Sequence, residues 1–437
     1  MGSWPTRRSS STSGFGASSP EALTQRIVIG AGVVGLATAL ALQRPGVTVT
    51  LIDRLAPGSG TSSGNAGIVA AGSVHPESMP GLLASLPSML LNPRGPLHLR
   101  PSFLLKQLPW LLRFLAQARP RRVEAASVAI SALSKPALRF WDGLLQQVGL
   151  PSPFTRKGLL YAYGSPRSFA AALRDNVYRT RRGIAFEILD GPAARALEPA
   201  LAPSLAGAIY APEAAHHPWP QTLSDQLFER FRARGGHFVQ GAVSALTREG
   251  CQVRVHGLGD QPLADQLFLC AGAYSATLAK QLGWAVPLAT ERGYHILHPD
   301  PGLTLTRTVL FPELGFAATP MAEGLRLAGT VELASLEAPP AWDRAKVLSR
   351  NALKMLPALR GPGVKPWLGF RPSLPDSLPV LGAAPDAPQG IFFAFGHGHL
   401  GLTQAAVSAA CLAALAEGEA PALDLAPYRI DRSFPLL

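Results

Sequence analysis

Three glycines and one acid stand where a chain can hold a dinucleotide. Gly30, Gly32 and Gly35 fall in Ile29-Gly30-Ala31-Gly32-Val33-Val34-Gly35, and Asp53 closes the apolar run Val49–Asp53 with Arg54 after it. Gly30 permits a tight turn, Gly32 lets backbone approach a pyrophosphate, and Gly35 lets a helix lie close to a strand. The amides of Val33 and Val34 then open a helix whose N-terminus carries a partial positive charge toward the phosphates. Asp53 is placed to accept hydrogen bonds from a ribose diol. The alternative is a plain packing turn in a strand–helix–strand unit. Two further stretches suit close backbone approach. Pro57–Ile68 is rich in small hydroxyl residues, and Gly396–Thr403 is a glycine-rich turn between an apolar strand and a helix.

The elements that must position these residues read as α/β. Ile27 to Leu42 is a strand and helix, and its glycines argue against a membrane span. Val123 to Val148 reads as two helices broken near Pro136, Gly158 to Tyr163 as a strand, and Arg167 to Arg182 as a surface helix. Gln221 to Arg234 is an amphipathic helix. Alternating strands follow at His237–Gln240, Val243–Thr247, Cys251–His256 and Gln266–Cys270. Pro287 to Gly329 alternates as an antiparallel sheet, and Arg344 to Leu356 is a helix. Ile391–Phe395 is a strand, and the helix after Thr403 runs to Leu415.

At 437 residues the chain exceeds one ordinary core, so two domains are expected. Its net charge of +12 is not gathered into basic runs interleaved with aromatics, which argues against nucleic-acid binding. Three scattered cysteines, Cys251, Cys270 and Cys411, build neither a disulfide framework nor a metal site. No metal is expected, and a cytoplasmic location fits. Residues 80–122 are apolar and basic together. They read as a helix packed on the second domain, or alternatively as a peripheral membrane contact on the inner face of the cytoplasmic membrane. Met1 to Thr24 is Ser-rich, lacks the apolar core of a secretory signal and reads as a disordered leader; Met1-Gly2 with Thr6 also fits a loose myristoylation pattern.

Four segments, in this order, carry a resemblance. They are Gly30-x-Gly-x-x-Gly35 with Asp53; Gly60-Thr-Ser-x-x-Asn65-Ala-Gly67; Gly369-x-Arg371-Pro with Asp376 and Pro379-x-x-Gly382; and Gly396-His-Gly-x-x-Gly401-Leu-Thr403. Over residues 25 to 425 the chain resembles the D-amino acid oxidase-like superfamily of FAD-dependent oxidoreductases, and within it the bacterial D-amino acid dehydrogenases. The resemblance implies a discontinuous Rossmann-like FAD-binding domain (25–75, 219–285 and 370–437). It also implies an α+β substrate domain on an antiparallel sheet (76–218 and 286–369).

The cofactor implied is FAD, held by Gly30, Gly32, Val33, Val34, Gly35, Asp53 and Arg54, by Thr61, Ser62, Asn65, Ala66, Gly67 and Ile68, and by Gly398, His399, Leu400, Gly401, Leu402 and Thr403. Val243 is implied to meet the adenine, and Gly272 and Ala273 to flank the cofactor. Asp53 stands where many relatives carry Glu, a shorter reach. The helix starting near Gly401 suits the flavin edge that gains negative charge on reduction. Some relatives attach flavin through a His or Cys, and Thr61–Ile68 has neither, so FAD is expected to be non-covalent, with His75 the one candidate nearby.

Arg371 matches the family's carboxylate-binding arginine, its structural alternative being a pair with Asp376. Arg292, Tyr294 and His295 form a second substrate candidate, with Tyr294 on the carboxylate and His295 near the amine. His216 and His217 are candidates to line the site, and His397 and His399 to serve the flavin turn through their backbone. The implied activity is oxidative deamination of a D-amino acid, such as a D-proline or D-hydroxyproline-like substrate, by hydride transfer from Cα to flavin N5, with a quinone or other acceptor. The alternatives are a glycine or sarcosine-type oxidase using oxygen, or a flavoprotein subunit of an electron-transfer complex.

Overall fold

Within the strand Thr24–Ile29, the apolar run from Ile27 to Ile29 is buried on both faces. In the computed structural model, which describes residues 23–80, 97–99 and 101–436, this strand lies between two parallel neighbours, Val47–Asp53 and Gln266–Leu269. The six-stranded sheet runs Val380–Ala384, Ala387–Phe395, Gln266–Leu269, Thr24–Ile29, Val47–Asp53, His237–Gln240. Only its first member is antiparallel to its neighbour. Helices Val33–Ala41 and Gly401–Ala416 share the core on one face with Trp141, Leu227 and Phe231. A small antiparallel sheet (Ala245–Glu249, Gln252–His256 and Leu263–Ala264) and the helix Ser275–Gln281 cover the other. The strand order reverses direction at Thr24–Ile29, and the crevice beyond the carboxyl ends at such a point is where α/β sheets hold ligands.

The second sheet is mainly antiparallel. Its order is Val364–Ser373, Ala289–His298, Gly324–Leu333, Phe316–Met321, Thr308–Phe311, Leu159–Tyr163, Gly207–Ala211, Glu187–Asp190, with Leu97–Leu99 pairing beside Gly324–Leu333. Helix Asp343–Met355 packs on one face through Ala345, Leu348 and Ala352. The edge strand Val364–Ser373 runs on toward Val380 of the first sheet. Pro372 O accepts the Gly398 amide at 2.9 Å, so the two sheets meet at Arg371.

Several expectations shift on contact with the structure. The helix expected over 167–182 is two, Pro166–Asp175 and Val177–Arg181, with Asn176 at the break. The strand expected from Val243 begins at Ala245, leaving Val243 in the connection against the core that includes Ala271. Strands Glu187–Asp190 and Gly207–Ala211 were not expected; the first is a short edge strand whose residues are mostly exposed, so it shows no apolar alternation. Within 80–122, helix Pro101–Ala116 seats Trp110 against Ala289 and Leu333, while 81–96 and 100 lie outside the described residues. So does the leader up to residue 22; Thr24 already belongs to the first strand. No helix among the described residues is long and apolar enough to cross a membrane.

Trp141 ties the α-helical layer to the start of helix Gly401–Ala416. It is 0% exposed, stacks obliquely on Phe154, and donates Nε1–H to Leu402 O at 2.8 Å. Trp141→Ala is expected to lower the unfolding free energy by about 3–5 kcal/mol in urea titration.

Candidate active site

Close contacts at the first turn explain why its glycines are glycines. Gly30 has φ of +105°, and a Cβ there would sit 2.4 Å from Cys270 O. A Cβ on Gly35 would lie 1.7 Å from Gly30 O. Gly32 is different: its Cβ would meet only Ser62 Oγ, at 3.2 Å, so it opens toward the crevice. Asp53 braces this turn, its Oδ2 accepting the Ala31 amide at 2.7 Å and its Oδ1 the Leu55 amide at 2.9 Å. Each oxygen keeps a second lone pair for a ligand hydroxyl. Arg54 stacks on the Tyr274 ring at 4.0 Å, which brings the Gly272–Tyr274 turn and Ala273 to the same rim.

The hydroxyl-rich loop locks onto three structures. Ser62 Oγ accepts the Val33 amide at 2.9 Å. Thr61 Oγ1 accepts the Phe370 amide at 3.1 Å and donates to Phe370 O at 3.2 Å, joining the loop to the Arg371 strand. Asn65 folds the loop on itself, donating to Ser62 O at 2.7 Å and accepting the Gly67 amide at 2.6 Å across the half-buried Ala66. Ile68 pairs with His216, and Thr403 Oγ1 accepts the Ala70 amide at 3.0 Å from the start of helix Gly401–Ala416. Gly398, His399 and Leu400 form the turn into that helix.

Arg371 and Glu291 are cross-strand partners, and Gly293 shares their face. A Cβ on Gly293 would be 2.4 Å from Arg371 Nη2, so the guanidinium lies over that bare backbone. Its Nη1 donates to Thr330 O at 3.1 Å, where Thr330 has a left-handed φ of +56° beside a strand bulge. Asp376 is not its partner. That carboxylate pairs with Arg432 at 2.8 Å. A cavity next to Arg371 is lined by Glu77, Phe114, Glu291, Ser373, His397 and His399 among others.

Inside it, His399 Nδ1 pairs with Glu77 Oε1 at 2.7 Å, both half-exposed. Burial pulls His399 down, but Glu77 outweighs it and leaves the imidazole above its usual value. Burial likewise opposes ionisation of Glu77, and His399 overcomes it, holding the carboxyl below its usual range. Burial, then the Glu77 charge, push Glu291 up to about 7 against the pull of Arg371 and Ser373.

The second substrate candidate divides across the sheet. Arg292 and Tyr294, 0% and 1% exposed, point to the opposite face from Arg371 and into the core. Tyr294 donates to Glu332 and accepts the Ala341 amide at 2.9 Å, and Arg292 Nε lies 3.5 Å from Glu332. Neither reaches the cavity, which corrects their expected place on a substrate carboxylate. His295 stays on the Arg371 face but stacks on Trp367 at 4.9 Å and bonds through Nδ1 to Gly64 O at 2.8 Å. Burial lowers it to about 4, and its bond to Gly64 O braces the loop.

The other histidines are braces as well. His217 Nδ1 accepts the Trp219 amide at 2.8 Å, and burial lowers both His216 and His217 to about 4. His397 bonds Ser408 at 3.0 Å. No group of ligating side chains that could hold a metal occurs among the described residues. Glu77 and Glu291 escaped the sequence reading; Glu291 adjoins the Arg292 motif, but only strand pairing sets it opposite Arg371.

A glycine turn at a sheet's switch point beside a charged cavity has the form of a dinucleotide-binding crevice. Residues 26–415 match the model of the FAD dependent oxidoreductase (DAO) family, and the chain belongs to that family. It is 35% identical over 411 residues to a D-amino-acid oxidase of Bradyrhizobium diazoefficiens, covering 92% of this chain and 97% of the relative. To D-amino acid dehydrogenase 2 of Ralstonia nicotianae it is 33% identical over 437 residues, covering 93% and 100%. The fold superposes on glycine oxidase from Geobacillus kaustophilus with a TM-score of 0.71 at 23% identity, over 94% of this chain and 99% of the other.

The cofactor is therefore FAD, and the residues fit it: a Cβ-free approach at Gly32, a braced acid at Asp53, and a helix start at Gly401. Asp53→Ala frees the Ala31 and Leu55 amides and removes the acceptor expected for the ribose diol. It is expected to weaken FAD binding by roughly 10- to 100-fold, read by equilibrium dialysis of the apoprotein, at about 1.5–3 kcal/mol for charged hydrogen bonds.

Proposed function

We propose that this chain oxidises D-amino acids to imino acids, which water then hydrolyses to keto acids. The observation that carries the reading is Arg371. Its guanidinium stands across the strand pair from Glu291, which lines a charged cavity, and no carboxylate of the protein is paired to it among the described residues, leaving a fork suited to a substrate carboxylate. FAD, when bound, supplies the acceptor for the hydride leaving Cα. The protein's share is orientation: Arg371 fixes the carboxylate end, and the Thr61–Phe370 bonds fix the Arg371 strand against the cofactor loop. The D-stereochemistry is supported by the names of the relatives, a D-amino-acid oxidase and D-amino acid dehydrogenases. Cyclic D-proline and D-hydroxyproline belong in the candidate set.

The electrons pass to a quinone or another acceptor in this proposal, in keeping with the dehydrogenase relatives; direct use of oxygen is the second reading, favoured by the oxidase relative. FAD is held without a covalent bond. Thr61–Ile68 offers no His or Cys, and His75 Nε2 is engaged by Asp175 O at 3.0 Å. Acid precipitation is thus expected to release all the flavin into the supernatant; yellow pellet would refute this.

Anaerobic bleaching of the bound flavin by D-amino acids, with L-amino acids, glycine and sarcosine inactive, is the expected outcome. Bleaching by glycine or sarcosine alone would overturn it, and peroxide formation during aerobic turnover would decide for oxygen. Arg371→Ala should raise KM by roughly 10- to 100-fold, as loss of a charge-assisted pair demands. A rise below about threefold would remove Arg371 from the substrate site.

A further inference from the structure

Arg371 and Glu291 are juxtaposed without being joined. They are paired across strands on one face, where Cβ atoms stand about 4.5–5.5 Å apart. Yet no ion pair closes between them among the described residues. Arg371 leans over Gly293 toward Thr330 O instead, and Glu291 turns to the cavity beside Ser373. One positive and one negative residue are thus held on neighbouring strands of one face, the negative one lining the cavity. That is the complement of a zwitterion.

Resting on the amino-acid reading above, we infer that Glu291 receives the substrate's ammonium group and takes its proton before Cα is oxidised. An N–H bond of the ammonium breaks, its electron pair stays on nitrogen, and an O–H bond forms on the Glu291 carboxylate. The neutral amine then supports departure of the Cα hydride to FAD, and the proton passes to solvent when product leaves. No further oxidant or co-reactant is needed.

The other charged groups facing Glu291 are committed. Glu77 and His399 neutralise each other across the cavity, and Arg371 takes the carboxylate. Ser373 is the neutral neighbour on the Arg371 strand, and Arg292 on Glu291's own strand faces away. Glu291 is therefore the carboxylate of this wall with no cation paired to it. Its value of about 7 suits proton acceptance near neutrality.

Because the ionised form is the base, kcat/KM should fall as pH drops below 7 in the unaltered holoenzyme. With D-alanine as substrate in anaerobic stopped flow, Glu291→Gln should lose roughly 100-fold in kcat/KM at neutral pH. It should regain the rate as pH approaches the substrate's own ammonium pKa, so that the acid limb moves upward. Glu291→Asp should keep a limb of the original shape. An unmoved limb in Glu291→Gln, or an equal loss at every pH, would overturn the assignment.

Propionate, which lacks the amine, gives a second readout through perturbation of the flavin absorbance. Its affinity should fall in the unaltered protein as pH rises through 7, because ionised Glu291 repels a second carboxylate brought to Arg371. In Glu291→Gln it should be several-fold tighter and indifferent to pH; affinity unchanged by the substitution would also overturn the inference. If no amino acid bleaches the unaltered holoenzyme, the amino-acid reading fails on its own, while propionate still reports whether Glu291 and Arg371 share a ligand.

Discussion

The approach of Gly35 to the Gly30 carbonyl, with Cys270 pressed against the same glycine, is the constraint on which the rest depends. No side chain fits between the first strand, its helix and the third parallel strand. Helix Val33–Ala41 is therefore held close to the sheet, and its first amides are fixed relative to Asp53 on one side and Ser62 on the other. Every other part of the cofactor crevice is referred to that point. The loop follows through Ser62, and helix Gly401–Ala416 follows through Thr403 and the Ala70 amide. Those bonds are short, between 2.7 and 3.0 Å, and the sheet beneath them is buried by apolar residues on both faces.

The substrate wall rests on a second omission of side-chain atoms. Gly293 leaves a bare strip of backbone between Glu291 and His295, and the Arg371 guanidinium occupies it. A larger residue at Gly293 would expel the guanidinium and lift it off Thr330 O. Specific placement of one charged fork thus comes from a missing Cβ, a bulge and a left-handed threonine. The opposite face of the same strand is spent on structure, with Arg292, Tyr294 and Glu332 forming a buried polar group of their own.

Much of this was legible in the residues. The glycine spacing, the acid after the second strand and the hydroxyl loop point to the crevice because each position obeys a local steric or hydrogen-bonding rule. The strand alternation over 289–298 was legible too, since a period of two puts Arg292 and Tyr294 on one face and Glu291, Gly293 and His295 on the other. What alternation leaves open is which face looks into the cavity. That depends on how Val364–Ser373 pairs, a contact between segments about eighty residues apart, so the residues alone do not say that Tyr294 and Arg292 face the core. Glu77 was invisible for a similar reason: it follows an unremarkable proline, and only the fold brings His399 to it. The short strand Glu187–Asp190 carried no pattern because its residues are mostly exposed.

The paired hydrogen bonds between the Thr61 hydroxyl and the Phe370 backbone, with the Arg326 guanidinium reaching Asn65 O at 2.7 Å, join the cofactor loop to the substrate sheet. Bonds of that kind are indifferent to which side chains line the cavity. The join between loop and sheet thus rests on Thr61 and Arg326, while the cavity wall at Phe114 and Ser377 lies on other segments. Inheritance can act on the two separately. Drift in the wall alters which substrate side chain is admitted and leaves the alignment of the reacting carbon untouched, so one scaffold can diversify in diet without relearning its chemistry.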